Sequence, residues 1–238
     1  SDIKNNGKAK LVGFSFHDTP EILEKYLNMY DWDVVQLQLN YYDWYIGYGK
    51  ELYNLCKKYN KPVIVMGPAK GGTLTNNLPQ EAKYYLHKYD DTISSMDWCF
   101  KFLTTLDNVK IVLSGANNIP MIKQNIEFFS NEENFGLNID DIDVLKHVIE
   151  LYKKYNFIEC TGCGYCLEYC PKHLPINKIF SDYNQALKDK SKINIAYDNF
   201  KSDLSSFNCI GCGNCVRHCP QHLDIPSLMR NQLFQMRL

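Results

Sequence analysis

Two cysteine-rich stretches in the last third of the chain have the spacing most suited to metal chemistry. They read CTGCGYCLEYCP at 160–171 and CIGCGNCVRHCP at 209–220. Each follows the pattern C-x2-C-x2-C-x3-C-P, in which three thiols share one tight loop. Thiolates at this spacing are typical ligands of iron–sulfur clusters. The paired glycines in each loop let it close and turn backbone N–H groups towards the sulfurs. The two stretches predict two [4Fe–4S] clusters.

The eight motif cysteines are the predicted metal ligands, and we expect their ligation to be crossed. When this run occurs in a two-cluster ferredoxin, its fourth cysteine belongs to the other cluster. One cluster would then take Cys160, Cys163, Cys166 and Cys219, and the other Cys209, Cys212, Cys215 and Cys170. Two zinc ions on the same thiolates are the alternative, although zinc sites usually join two well-separated pairs. Two clusters held in this way would lie close together and form an electron relay.

Composition and charge exclude several classes of function. The net charge is −1, which gives no electrostatic basis for binding nucleic acid or an anionic membrane. No apolar run reaches the roughly 18–20 residues that span a bilayer, and the N-terminal SDIKNNGKAK lacks the apolar region of a signal peptide. Cys56 and Cys99 stand apart in helical patterns, where we expect them to be buried. Clustered cysteines without a secretion signal predict a reducing, cytoplasmic location.

The first 130 residues alternate between strand-like and helix-like patterns. The predicted strands are 10–17, 33–42, 61–72 and 109–116, and the predicted helices are 19–30, 48–60, 91–106 and 119–130. Four such units average about 32 residues each, close to the value for a complete eight-unit barrel of about 250 residues. The expected fold class is therefore α/β, a partial (β/α)8 TIM barrel of parallel strands. A small open doubly wound sheet is the alternative, although no G-x-G-x-x-G follows the first strand.

Three segments make up the expected domain organisation. Residues 1–135 form the half-barrel, 136–158 a linking helix, and 159–238 a mostly α-helical ferredoxin domain. Helices are predicted at 137–156 and 176–189, with loop and helix at 191–208 and a break at Pro226. His173 and His222 follow the two cysteine motifs at matching positions, where we expect exposed or capping side chains.

The order of several motifs resembles one known family. LVGFSFHDTPEIL, VVQLQLNYYD, PVIVMGPAKGG, VLSGANNIPMIKQNIEFF and CTGCGYCLEYCP follow one another as in aldo/keto reductase-like proteins that end in a 4Fe–4S ferredoxin domain. The resemblance spans roughly residues 8–225, and its front part matches only the second half of the reductase barrel. It implies NAD(P)-linked hydride transfer. The family's catalytic Asp, Tyr, Lys and His come from the other half, so no residue of this chain is expected to be catalytic.

The resemblance also implies positions that hold a nicotinamide cofactor. Ser15 and Gln36 match the residues that contact the carboxamide, and Ser114 and Gly115 match the phosphate-contacting turn after the last strand. Gln124 and Asn125 match the pair at the adenosine end. Phe16 stands where the family has Asn, and Met66 stands near the position of its stacking aromatic residue.

Further polar residues lie at the predicted carboxyl ends of strands, where barrel enzymes place their chemistry. Lys70, with Gly71 and Gly72, could contact a phosphate or form a turn. His17 and Asp18 follow the first strand, where a direct role is a hypothesis and a structural role the simpler interpretation.

Two functions remain open at this point. The chain is either an oxidoreductase, or its C-terminal part, or a non-catalytic electron-transfer or redox-sensing subunit with the half-barrel as a docking scaffold. Either function implies a redox partner such as a ferredoxin or flavodoxin. A half-barrel also leaves two sheet edges and an apolar inner face to be covered, by a missing N-terminal half-barrel, by a second copy or by its own loops.

Overall fold

The computed structural model describes residues 2–189 and 208–235. The chain divides into two compact units, one of Ser1–Leu78 with Ala82–Ile149 and one of Pro79–Glu81 with Glu150–Leu238. Among the described residues, no helix combines the length and the apolar character that crossing a bilayer would need.

The first unit is an alternation of strands and helices. The strands are β1 (Gly13–Phe16), β2 (Val34–Gln38), β3 (Val63–Met66) and β4 (Val109–Val112). The helices are α1 (Asp2–Asn5), α2 (Pro20–Met29), α3 (Tyr41–Tyr45), α4 (Gly49–Lys58), α5 (Gln80–Tyr89), α6 (Ser95–Thr104), α7 (Ile119–Phe129) and α8 (Ile139–Lys153), with a 3₁₀ turn at Glu132–Asn134. The unit boundaries fall within α5 and α8.

All four strands are parallel and lie side by side in sequence order, β1-β2-β3-β4. A doubly wound sheet reverses its strand order at a switch point, and this sheet has no such reversal. Sequential addition of each strand on the same side is the arrangement found in a (β/α)8 barrel. The α/β fold with a parallel sheet is thus confirmed, and the doubly wound alternative is wrong.

One face of the sheet packs under the helices. Val35, Leu37, Val63 and Val65 have no exposed surface. Because side chains alternate along a strand, Gln36 and Gln38 lie on the opposite face, both only half-buried. At Gly13, a Cβ atom would collide with the backbone carbonyl of Val34, so glycine is required where β1 approaches β2.

Two elements of this unit differ from the sequence-based expectation. The predicted strand at 33–42 ends at Gln38, because the Asn40 side chain accepts a hydrogen bond from the backbone N–H of Asp43 and caps the short helix α3. Helix α5 was not predicted. Within the first unit its only buried side chains are Ala82 and Leu86, one turn apart, so its apolar pattern is short.

A buried ion pair joins the segments that follow β2 and β3. The Lys70 ammonium lies 2.5 Å from an Asp43 carboxylate oxygen, and their side chains are 2% and 14% exposed. The other Asp43 oxygen accepts hydrogen bonds from the amides of Gln38 and Asn40. Asn40 also donates to the carbonyl of Gly67. The Lys70 backbone has a left-handed φ of 49°, which a side chain tolerates at a cost when its contacts compensate.

The two outer strands leave the sheet open at both ends, since β1 and β4 each have one neighbour among the described residues. Large apolar side chains are exposed near both edges. Leu11 precedes β1, Ile111 lies on β4 and Leu113 follows it, and Ile119, Ile122 and Ile126 are exposed on α7. Exposed apolar surface beside an unpaired strand edge is a feature of a surface that another element covers.

The second unit contains α9 (Ile176–Lys188), α10 (Asn214–Arg217) and α11 (Ile225–Gln235). Its core includes Ile158, Phe180 and Tyr183, together with the buried cysteines Cys166 and Cys215. Pro226 does not break the chain as predicted. It lies in the first turn of α11, where proline lacks only an N–H that has no helical partner. The loop and helix predicted at 191–208 fall, apart from residue 208, outside the described residues.

We expect Asp43→Ala to lower the free energy of unfolding of the first unit by roughly 3–5 kcal/mol, because it removes the carboxylate that compensates the buried Lys70 ammonium. The matched control is Asp143→Ala, which removes the partner of Lys146 in a pair that is 53% and 73% exposed. The control should cost less than about 1 kcal/mol. All three tryptophans belong to the first unit, so their fluorescence during urea unfolding reports on it. Equal effects of the two substitutions would contradict the importance of the buried pair.

Candidate metal and cofactor sites

The first cysteine site is a cavity that draws on both motifs. Its lining includes the thiol residues Cys160, Cys163, Cys166 and Cys219. Three of these cysteines come from the first motif and the fourth from the second. We call this group site I.

The second cysteine site mirrors the first. Its lining includes Cys209, Cys212, Cys215 and Cys170. We call this group site II. Ile176 and Ile225 line both cavities and are 2% exposed each, so the two sites are neighbours across two buried isoleucines.

Backbone geometry explains how each loop directs its thiols. Gly162, Gly164, Gly211 and Gly213 all have left-handed φ values between 71° and 81°. These turns let three cysteines of one run point to a common side. The backbone N–H of Gly162 donates to the sulfur of Cys160 at 3.4 Å, as backbone amides do around cluster thiolates.

A second turn follows each fourth cysteine. His173 and His222 have left-handed φ values of 50° and 52°, and their N–H groups donate to the carbonyls of Cys170 and Cys219. Both histidine side chains are exposed, as predicted. The turns reverse the chain so that α9 and α11 begin at Ile176 and Ile225, the residues between the two sites. The N–H of Leu174 also donates to the sulfur of Cys170 at 3.4 Å.

An aromatic contact ties the two motifs together beside the fourth cysteines. The rings of Tyr169 and His218 are stacked with their centroids 3.4 Å apart and an angle of 5° between their planes. Each residue directly precedes a fourth cysteine, Cys170 or Cys219. The stack therefore holds together the two segments that cross between the sites.

Burial sets the protonation of the innermost thiols. It raises the pKa of Cys166 to about 12 and that of Cys215 to about 11, and it also raises the pKa of Cys160. A thiol with such a pKa is protonated at neutral pH. Binding of a positively charged metal centre would displace these protons, because only the thiolate is a ligand.

The sulfurs of the two motifs are grouped in two sets of four, since four cysteines line each cavity. Within residues 2–189 and 208–235, no three or more His, Cys, Asp or Glu side chains converge closely enough to hold one metal ion. Sets of cysteine thiolates at this spacing are the ligands that iron–sulfur clusters use. The residues present therefore fit an iron–sulfur cluster at each site.

The residues suggested for the nicotinamide site fall into separate groups. Ser15 on β1 is paired in register with Gln36 on β2, so these two lie side by side on the same face of the sheet. The Gln36 amide donates to the sulfur of Met66 on β3 at 3.3 Å. Asp18, which follows β1, accepts a hydrogen bond from the backbone of Thr19, and His17 is exposed.

The residues that follow β4, expected at the adenosine end, fall into two separate hydrogen-bond groups. The Asn125 amide donates to the Ser114 hydroxyl at 2.7 Å, and Gly115 has open space beside it. Gln124 instead donates to Ser94 and Asp97, the capping residues of α6. Gln124 is thus held by a helix end, away from the hydrogen-bond group of Ser114 and Asn125.

Sequence reasoning missed the role of the Lys70 side chain. Its turn was expected, and consecutive left-handed residues at Lys70, Gly71 and Gly72 form it. The buried pairing of Lys70 with Asp43 was not expected. No local sequence pattern predicts this pairing, because Asp43 precedes Lys70 by 27 residues and lies on a different β–α connection. Cys56 and Cys99 are buried as predicted, and burial raises the pKa of Cys56 to about 12.

Comparisons with known proteins agree with these two parts of the chain. A model of the aldo/keto reductase family matches residues 1–150, and a model described as a 4Fe-4S dicluster domain matches residues 152–220. A search of curated proteins found no match.

Among solved structures, the chain is similar to the aldo-keto reductase AKR11C1 from Bacillus halodurans. The identity to the apo form is 18%, with a TM-score of 0.50, covering 62% of this chain and 53% of that one. For the holo form the identity is 18% and the TM-score is 0.48, covering 62% of this chain and 52% of that one. The chain thus spans about half the length of these reductase structures, and the likeness to the apo form supports the fold. Because the family model covers well over half of its residues, the chain belongs to the aldo/keto reductase family and carries a 4Fe-4S dicluster domain behind the reductase part.

Proposed function

We propose that the chain is an iron–sulfur oxidoreductase of the aldo/keto reductase type that binds two [4Fe–4S] clusters by crossed ligation and exchanges electrons with NAD(P). The observation that carries this proposal is the distribution of eight thiols between two cavities, four and four, with one thiol exchanged between the motifs. An unpaired set of thiols also suits a reducing, cytoplasmic compartment.

The chain's own residues give the cysteine loops and the reductase part different roles in the proposed function. The clusters, when bound, would store and pass single electrons. The cysteine loops hold them, and Ile176 and Ile225 keep water from the space between the two sites. Ser15 and Gln36 would orient the carboxamide of a nicotinamide, and Ser114 with Asn125 would hold the phosphate and adenosine end. A small soluble electron carrier of the ferredoxin or flavodoxin type would be the redox partner.

A second function is favoured by one feature of the sheet. Gln36 is hydrogen-bonded to Met66, near the position where the family carries its stacking aromatic residue. A site filled by its own side chains suits a scaffold. In that case the chain is an electron-transfer or redox-sensing subunit, and the reductase part serves only for docking.

Titration with NADH and NADPH separates these two functions. We expect either nucleotide to bleach the cluster absorbance at about 400 nm of the anaerobically reconstituted chain. Gln36→Leu should weaken nucleotide binding roughly tenfold, the value of one hydrogen bond to a buried partner. Gln80→Leu, at an exposed position on α5, is the control and should bind like the unmodified chain. Absence of binding by both nucleotides would favour the docking subunit.

Crossed ligation predicts an unusual pattern for paired cysteine substitutions. Cys160→Ala with Cys219→Ala should damage one cluster only, because both residues belong to site I. The protein should then retain about four of its roughly eight iron atoms and one intact cluster. Cys209→Ala with Cys219→Ala should damage both clusters, because these residues belong to different sites.

Iron and sulfide analysis, with spin quantitation of the reduced protein, provides the readout. Uncrossed ligation would reverse the two results, since Cys209 and Cys219 would then share a cluster. An unmodified chain with zinc in place of iron and sulfide would overturn the cluster assignment itself.

We further propose that a complementary half-barrel of four parallel strands covers the open sheet. The unpaired edges of β1 and β4 and the exposed isoleucines of α7 support this. The family's catalytic Asp, Tyr, Lys and His would come from that half, whether it belongs to a longer form of the same chain or to a separate one. Hydride transfer catalysed by that set of residues then requires both halves. A second copy of the chain is the other candidate for covering the same edges.

The chain alone should therefore self-associate through its open edges in sedimentation velocity. Ile122→Glu with Ile126→Glu should shift the population towards monomer, because each places a charge in the apolar face. Lys123→Glu, at an exposed position on the same helix, should leave the association unchanged. A monodisperse monomer of the unmodified chain, with a well-ordered sheet, would contradict the covered half-barrel.

A further inference from the structure

The internal repeat extends beyond the cysteines and permits a comparison of the two sites position by position. The motifs are offset by 49 residues, and the same offset relates Leu174 to Leu223 and Ile176 to Ile225. Most residues that line one cavity have their counterpart lining the other, as Asn177 and Pro226 do. Because the two surroundings are so alike, the differences in charge between them stand out.

The first difference is Lys172, which lines site II. Its counterpart in the repeat is Gln221, which lines site I. Among the described residues, the lining of site I contains no charged residue apart from the cysteine ligands themselves, whereas the lining of site II includes Lys172, whose side chain is exposed to solvent. A positive charge stabilises a cluster more when it carries the additional electron.

The second difference is Arg230 on α11. A Cβ placed on Gly211, inside the loop between Cys209 and Cys212, would lie 3.5 Å from a guanidinium nitrogen of Arg230. The counterpart of Arg230 is Ser181, and Gly162, the counterpart of Gly211, has nothing within 4 Å of such an atom. A guanidinium thus lies over the loop of site II alone.

The third difference is Glu159, which directly precedes Cys160 of site I. Its counterpart before Cys209 is Asn208, which is neutral. A carboxylate beside a cluster opposes the addition of an electron. This difference acts in the same direction as the other two, since it disfavours reduction at site I.

The other charges of the described residues near the two sites do not reverse this balance. Glu168 and Arg217 occupy matching positions between the third and fourth cysteines of their runs, so each is adjacent in sequence to ligands of both sites. Lys178 is paired with Asp182 at 2.6 Å. Asp224 lies close enough to Arg230 to offset part of its charge, which leaves Lys172 as the main source of the difference among the described residues.

We propose that the cluster at site II has the higher reduction potential, set chiefly by Lys172 and assisted by Arg230. This inference rests on the proposed binding of two [4Fe–4S] clusters. In the singly reduced protein the electron resides at site II. A one-electron step then oxidises the cluster at site I and reduces the one at site II, so site I is the entry point for an electron from a low-potential donor and site II is its exit.

An exchange of the charge between the two cavities tests the assignment. Lys172→Gln should lower the upper of the two potentials measured by redox titration with EPR detection, and leave the lower one in place. Gln221→Lys should raise the lower potential and leave the upper one in place. We expect each substitution to change the ratio of the two singly reduced forms by about fivefold, as a unit charge about 4 Å away does when water screens it.

Two further variants control the interpretation. Arg230→Met should lower the upper potential by less than Lys172→Gln does, and Lys178→Met, which removes a cation that lines neither cavity, should move neither potential. A fall of the lower potential in Lys172→Gln, or two unmoved potentials, would overturn the assignment while the clusters remain. Iron and sulfide contents well below about eight of each in the unmodified chain would instead overturn the cluster binding on which it rests.

Discussion

Neither cysteine run faces a cavity of its own with all four thiols, and this is the constraint on which the second unit depends. Cys219 belongs to the cavity formed by the first run, and Cys170 to the cavity formed by the second. The two runs must therefore fold together before either site exists. The stacked rings of Tyr169 and His218 hold the crossing segments, and the buried Ile176 and Ile225 fill the space between the sites. A metal site built in this way couples cluster binding to folding of the unit.

The first unit is governed by a different constraint, the need of a parallel sheet to be covered on both faces and along its edges. The helices cover one face, while the other presents Ser15 and Gln36 side by side beyond the buried valines. The open edges and the exposed isoleucines of α7 mark where the sheet would be completed. Under the proposed function, the reductase part supplies the positions that contact the cofactor, and the chemistry needs the half that covers the sheet.

The buried Lys70–Asp43 ion pair is a further stabilising feature of the first unit. A charged lysine inside a protein costs free energy unless a partner and hydrogen bonds compensate it. Here the compensation comes from a carboxylate that also receives the amides of Gln38 and Asn40, so a single network fixes the connections after β2 and β3. Because barrel enzymes place their chemistry at these strand ends, the network stiffens the surface on which a cofactor would rest.

The sequence by itself determined the local features: the ligand spacing of both cysteine runs, the alternation of strands and helices, and the burial of Cys56 and Cys99. Each depends on residues near one another in the chain, so periodicity and spacing suffice. The spacing of the cysteine runs also predicted which thiols share a site. Only the tertiary structure decided that Gln124 donates to Ser94 and Asp97, the capping residues of α6, and that Lys70 is paired with Asp43. These contacts join residues distant in the chain, and their energies depend on burial and local dielectric, which no local pattern records.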